Sequence, residues 1–247
     1  MIEVKSSNEI ERIRIAGRIV RKALDVLCKN AKIGSSTLEL DSIAENLIVK
    51  ENGIPAFKGY KGFPNATCTS VNESVVHEIP SKRILKNGDI VSFDVGVGYE
   101  GLYADAAVTV GIGRISEEST RLMEITEKSL YAGINAARAE KRISDISHAI
   151  QTVVESNGFS VVRVFVGHGI GRKLHEEPEI PNFGEPNRGP RIREGMVFAI
   201  EPMVNVGGSE VKILNDGWTA VTRDSNRSAH FEHTIVVTSG KPEILTQ

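Results

Sequence analysis

Two aspartates stand inside apolar runs near the middle of this chain, Asp94 in IVSFDVGVGY and Asp105 in LYADAAVTV. Gly98-Tyr99-Glu100-Gly101 between the runs has turn chemistry, so the pair reads as a β-hairpin. Folding back around Tyr99 and Glu100 sets Asp94 opposite Asp105, with Cβ atoms roughly 4.5–5.5 Å apart on one face. Two carboxylates held that close repel. Among Ile90, Val91, Phe93, Val95 and Val97 they are tolerable only with a shared proton or a cation. The hairpin is half of a metal site or, alternatively, an exposed edge carrying two solvated aspartates.

A second pair of carboxylates answers the first, because the chain repeats itself. Leu38 aligns with Ile143, Ala44 with Ala149, Ile48 with Val153, Val49 with Val154 and Asn52-Gly53 with Asn157-Gly158. LKNGDIVSFDV aligns with IREGMVFAIEP, which sets Asp94 on Glu201, and DAAVTV from Asp105 resembles EHTIVV from Glu232. His77-Glu78-Ile79-Pro80 has its counterpart in His175-Glu176-Glu177-Pro178. Four carboxylates converging in an apolar site need about two divalent cations. Carboxylates with an imidazole suit Mn, Fe, Co or Zn, and ligand type does not separate these. The candidate ligands are Asp94, Asp105, Glu201, Glu232 and one histidine. His168 is favoured because the glycines flanking it let the backbone approach other strands. His77 and His175 remain as hydrogen-bond donors near a reacting carbonyl. His148, His230 and His233 read as structural, with His233 the one placed to support Glu232.

The elements that must carry these residues follow from periodicity. Residues 7–30 predict a helix with Ser6 and Glu9 as a capping box, and a second follows Ser36 and Glu39, with Leu38, Ile43, Ala44, Leu47 and Ile48 on its apolar face, ending at Asn52-Gly53. Residues 54–64 form a loop whose Phe57, Tyr60 and Phe63 line a pocket or simply anchor the loop. Cys68 to Val76 reads as short β. Residues 116–138 and 143–157 are again amphipathic helices, with Ser116, Ser119 and Ser144 at or near their caps. Strands are expected over 159–166, 196–206 and from Ala229 to Val237. A Pro/Gly-rich connection fills 181–195, and Asp216-Gly217 makes a hairpin turn before Trp218. Two rounds of helix, helix, strands make an α+β class, one catalytic domain over 1–247 with pseudo-repeats 7–110 and 116–240.

A formal net charge of −2 argues against a nucleic-acid surface. No apolar run approaches the roughly 20 residues that span a bilayer, and the charged N-terminus lacks a signal-peptide core. Cys28 and Cys68 form no CxxC, so a reducing cytoplasm is the simplest compartment.

Taken together, NESVVHEIP, GDIVSFDVG with YADAAVTV, VGHGIGRKLHEEP, MVFAIEPMV, DGWTAVTRD and HFEHTIVVT resemble the methionine aminopeptidases of the short bacterial type I class, over essentially the whole chain. The resemblance implies the pita-bread fold, a curved antiparallel sheet covered by helices. It implies removal of the initiator methionine from nascent polypeptides when the second residue is small, by a metal-bridged water attacking the scissile carbonyl. It gives Asp94 to one metal, Asp105 and Glu232 to both, and His168 and Glu201 to the other. Glu201 also handles the proton, His175 stabilises the oxyanion and His77 contacts the peptide. Phe57, Tyr60, Phe63, Cys68, Leu174 and Trp218 match the wall of the methionine pocket. It further implies a monomer with transient proximity to the ribosome. Because residue 2 is Ile, Met1 should be retained.

The chain departs from that pattern at Gly96, where a hydroxyl residue is common, and at Ala104, Ala106 and Ala107 around Asp105. Such changes remove hydrogen bonds to ligands, worth about 10–100-fold in metal affinity or activity. Leu174 and Phe57 replace the usual aromatic and cysteine. Two other readings share the scaffold: an Xaa-Pro aminopeptidase or prolidase, which usually carries an additional N-terminal domain, and a non-catalytic binding protein, which should have lost ligands.

Overall fold

The computed structural model describes residues 2–247, so the retention of Met1 lies outside the described residues. Helices α1 (Ser7–Asn30) and α2 (Thr37–Lys50) both begin with the expected capping boxes. The buried face of α2 is Thr37, Leu40, Asp41, Ala44 and Ile48; Leu38 and Ile43 point outward, one step around the helix from the predicted stripe. Helices α3 (Glu117–Ala136) and α4 (Ile143–Ser156) form the second pair. Ser116 caps α3, whereas α4 starts with Asp145 accepting from the Arg142 N–H; Ser144 instead accepts from the Arg188 N–H.

Strands Ile90–Tyr99 and Leu102–Gly111 form the central hairpin. Glu100 and Gly101, both at positive φ, make a two-residue turn of the kind that matches strand twist. This turn sets a register different from the predicted one. Asp94 pairs with Ala107, and Asp105 pairs with Gly96. The aspartates are diagonal neighbours on one face, which places them roughly 7–8 Å apart at the backbone. Thr67–Val71 pairs on the other side of Ile90–Tyr99, with Cys68 opposite Asp94. The alternate residues Val91, Phe93, Val95, Val97, Leu102, Ala104 and Ala106 pack with α1 residues such as Ile13, Ala16 and Val20.

In the second half, α3 and α4 pack against a core containing Phe198, Ile200 and Ile235. The predicted strand 196–206 is two strands, Val197–Ile200 and Met203–Asn205, because Pro202 lacks the N–H a ladder needs. The predicted strand from Ala229 to Val237 likewise divides into Ser228–His230 and His233–Val236. Of 159–166 only Ser160–Val161 is strand; the next strand, Gly167–Gly169, begins just beyond it. The halves join where Leu102–Gly111 meets residues 230–234. Ala107 and Glu232 exchange backbone hydrogen bonds, and the Thr109 and Thr234 hydroxyls bond the opposing backbones of His230 and Asp105.

Candidate active site

Asp94, Asp105, His168, Glu201 and Glu232 line one cavity of about 150 Å³ together with Phe57, Tyr60, Phe63, Cys68, His77, Leu174, His175 and Trp218. All thirteen residues that the sequence singles out for ligation, proton handling or the pocket are on its wall.

The carboxylates arrive from four chain segments. Asp94 and Asp105 project from the central hairpin; Glu201 and Glu232 stand just past the ends of the paired strands Val197–Ile200 and His233–Val236. His168 is carried on Gly167–Gly169, paired with Ala199. A Cβ at Gly167 would lie 2.5 Å from the Ala199 carbonyl oxygen, and one at Gly169 would lie 2.2 Å from that of Glu177. Only glycines let this strand sit so close.

The His168 Nδ1 lies 2.9 Å from the Gly169 carbonyl oxygen. A carbonyl only accepts, so Nδ1 carries the proton and the Nε2 lone pair faces the carboxylates. It lies 3.4 Å from Glu201 Oε1 and 3.6 Å from Asp105 Oδ2. Burial holds His168 at a pKa of about 4, so the ring is neutral at pH 7. A lone pair aimed at carboxylate oxygens calls for a cation or shared protons between them.

The carboxylates carry the same demand. Burial, then their mutual repulsion, pushes Asp94, Glu201 and Glu232 well above the usual carboxylate range. Asp105 rises to about 6, burial outweighing the opposing influence of the neighbouring His175 ring and the Thr234 hydrogen bond. Asp94 Oδ1 is buried with no hydrogen-bond partner. One ligand atom each of Asp105, His168 and Glu232 lie within 4.8 Å of one another. An orphaned carboxylate oxygen, a deprotonated imidazole nitrogen and four clustered carboxylates form a donor set that fits divalent metal.

The apolar side is a slot. Phe63 meets Trp218 edge-on at 5.1 Å, Tyr60 stacks on His175 at 5.3 Å, and Cys68 and Leu174 are buried beside them. His175 lies 4.1 Å from His168, centre to centre. Burial and that neighbour keep His175 neutral, with a pKa of about 4; burial does the same for His77.

Several contributors escaped the sequence reading. Thr234 donates to Asp105 Oδ1 at 3.0 Å. The hydroxyl absent from Ala106 and Ala107 therefore comes from the other half of the molecule, and Ala104 and Ala106 face α1 instead of the site. The period of two was the available signal, because Thr234 is on the same face as Glu232. Lys5 is buried; its Nζ donates to Glu176 at 2.6 Å and its backbone N–H to Gly195, fastening the loop that carries Leu174 and His175. No sequence pattern marks a buried lysine. His230, read as structural, is fully buried with Nε2 3.8 Å from Glu201 Oε2. His233 turns away to bond Thr246, and His148 is exposed on α4.

An antiparallel, helix-covered scaffold holding a carboxylate and histidine centre defines a metallopeptidase, and the chain belongs to metallopeptidase family M24, which matches residues 11–239. It is 54% identical to the methionine aminopeptidase of Clostridium perfringens, covering 100% of this chain and 99% of that one. A solved methionine aminopeptidase from Thermotoga maritima superposes with a TM-score of 0.99 at 48% identity, over 100% of both chains. The prolidase of Pyrococcus horikoshii shares the fold alone, with a TM-score of 0.80 at 23% identity, covering 99% of this chain and 63% of that one. The architecture is the pita-bread fold.

Proposed function

We propose that this chain removes the N-terminal methionine from nascent polypeptides and peptides whose second residue is small. The observation that carries this reading is the junction of a four-carboxylate, one-histidine centre with an apolar slot of Phe57, Tyr60, Phe63, Cys68, Leu174 and Trp218, in a chain about half identical to methionine aminopeptidases. The slot suits an unbranched thioether, since sulfur makes favourable contacts with aromatic rings.

Asp94, Asp105, His168, Glu201 and Glu232 would hold two divalent ions, Mn, Fe, Co or Zn. Bound ions supply Lewis acidity and a water that ionises near neutral pH. With the ions bound, Glu201 would be ionised and would serve as the group that takes up a proton and delivers it to the leaving amine. His175, neutral at pH 7, donates an N–H to the oxygen on which charge develops. His77 holds the peptide beside the scissile bond. The apolar slot orients the first residue and excludes water from its side chain. The same reading takes residues 1–247 as one catalytic domain with its site at the junction of the two halves, acting as a cytoplasmic monomer in transient proximity to the ribosome. Among the described residues no helix is long and apolar enough to cross a membrane.

The test is metal-stripped protein incubated with Met-Ala-Ser, Met-Lys-Ser or Ala-Pro, with each of the four metals added back. Methionine release from the first peptide alone is expected. No release with any metal overturns the reading, and preferential cleavage of Ala-Pro replaces it with a prolidase-type activity.

A further inference from the structure

Gly96 and Phe57 look like separate departures in the sequence. The structure puts them in one place. A Cβ at residue 96 would lie 2.5 Å from Phe57 Cε1, 3.0 Å from Cδ1 and 3.1 Å from Cζ. The Phe57 ring therefore fills the space that a side chain at 96 would take. Position 96 is on the same strand face as Asp94 and is paired with Asp105, so its side chain would project toward the metal-ligand side of the sheet. Its backbone is extended strand that any residue adopts, so the glycine is required by the ring and not by φ. The loop is pinned there as well, because the Ala56 N–H donates to the Gly96 carbonyl at 2.9 Å, leaving Phe57 no freedom to slide along the strand. The ring can leave Gly96 only by swinging, and Phe57 borders the cavity.

We infer that Gly96 is a positioning residue for substrate specificity: by seating the Phe57 ring against the strand it sets the width of the side-chain slot, and it supplies no group to the ligands. This inference rests on the methionine-removing activity proposed above. A residue with any side chain at 96 drives the ring into the slot. A smaller residue at 57 widens the slot, and in that background a side chain at 96 is harmless. The glycine thus makes room for an aromatic wall.

The experiment is a double-mutant cycle of Gly96→Ala and Phe57→Ala in the metal-loaded protein. Gly96→Ala should raise KM for Met-Ala-Ser about tenfold with kcat changed less than about threefold, the scale at which a pocket senses one methylene. In the Phe57→Ala background the same substitution should change KM by less than about twofold. Phe57→Ala alone should lower the preference for methionine over ethionine, one methylene longer, by about tenfold. Melting temperature gives a readout independent of activity. Gly96→Ala should lower it by about 5 °C in the wild-type background and by less than about 1 °C with Phe57→Ala. Equal effects of Gly96→Ala in both backgrounds overturn the inference. So does a loss confined to kcat and metal affinity, which would place residue 96 with the ligands. If the wild-type protein releases no methionine, the proposed function fails, while the melting-temperature cycle still decides whether residues 57 and 96 are coupled.

Discussion

The two halves of the site present carboxylates in opposite ways. Asp94 and Asp105 lie inside unbroken ten-residue strands, and Asp94 is paired on both sides, with Cys68 and Ala107. Glu201 and Glu232 stand in gaps, one between Val197–Ile200 and Met203–Asn205 and the other between Ser228–His230 and His233–Val236. A short aspartate needs a backbone held near the centre, which a paired strand provides. A glutamate carries an extra methylene and reaches from a break between short strands, where Glu232 keeps only its single backbone pairing to Ala107. The two pairs therefore bring their charge to one centre by different routes. The first half should behave as a rigid template and the second as an adjustable one.

Asp105→Asn breaks this scheme most severely. Asp105 is on the hairpin yet is held by Thr234 of the other half, so it belongs to both templates. Activity should fall by at least about 1000-fold with the fold intact, as circular dichroism would check. Changing length by one methylene then separates the halves. Asp94→Glu overfills a fixed strand and should weaken metal binding about 100-fold, whereas Glu201→Asp at a strand break should weaken it about tenfold. Calorimetric titration of metal reads both. If Glu201→Asp loses more affinity than Asp94→Glu, the rigid-against-adjustable distinction is wrong.

This contrast also explains what was legible in the sequence. The hairpin, the four helices and the capping boxes rest on local chemistry, namely alternation, the Glu100-Gly101 turn and Ser-x-x-Glu spacing, and these are visible residue by residue. That the four carboxylates share one cavity was anticipated because a carboxylate inside an apolar strand is costly and because the sequence alignment set one pair against the other. Register was not visible. A two-residue turn in place of one centred on Tyr99 and Glu100 moved Asp105 from Asp94 to Gly96, although both remained on one face because the shift was even. Long-range support was the least visible. Thr234 reaching Asp105 and Lys5 reaching Glu176 join residues remote in sequence, and no periodicity encodes that.

Those supports give the next two tests. Thr234→Val removes the hydroxyl that bonds both the backbone and the carboxylate of Asp105 and should cost about 10–100-fold in metal affinity or turnover, with Ser at 234 restoring most of it. If Val matches the wild type, the Thr234 hydroxyl does not hold Asp105 in place. Lys5→Met keeps the length of the side chain and leaves Glu176 without its buried partner. It should lower kcat about fivefold through His175 while metal affinity stays unchanged, because the loop it fastens carries no proposed ligand. An equal fall in metal affinity would show that the N-terminal arm acts on the whole centre.

The smallest effect is a slope with pH. In the metal-free protein the buried carboxylates have raised pKa values, so between the ordinary carboxylate range and those values the folded state binds more protons than the unfolded state. Their contribution to stability is present at low pH and is lost as pH rises through the folded pKa. His77, His168 and His175 run the other way. Each is lowered to about 4 from 6.5, so stability from them grows between those values. The two trends oppose each other up to about pH 6.5. Above it the imidazoles are neutral in both states and no longer offset the carboxylates. Calorimetry in chelator should show the melting temperature declining as pH rises through the raised carboxylate pKa values, with added metal abolishing the decline; parallel curves with and without metal would contradict it. Asp94→Asn should flatten the metal-free slope more than Asp105→Asn does. Asp94 has a buried oxygen with no partner, whereas Asp105 keeps the Thr234 hydroxyl, so the metal-free centre is relieved most where the rigid strand leaves a charge with nothing to meet it.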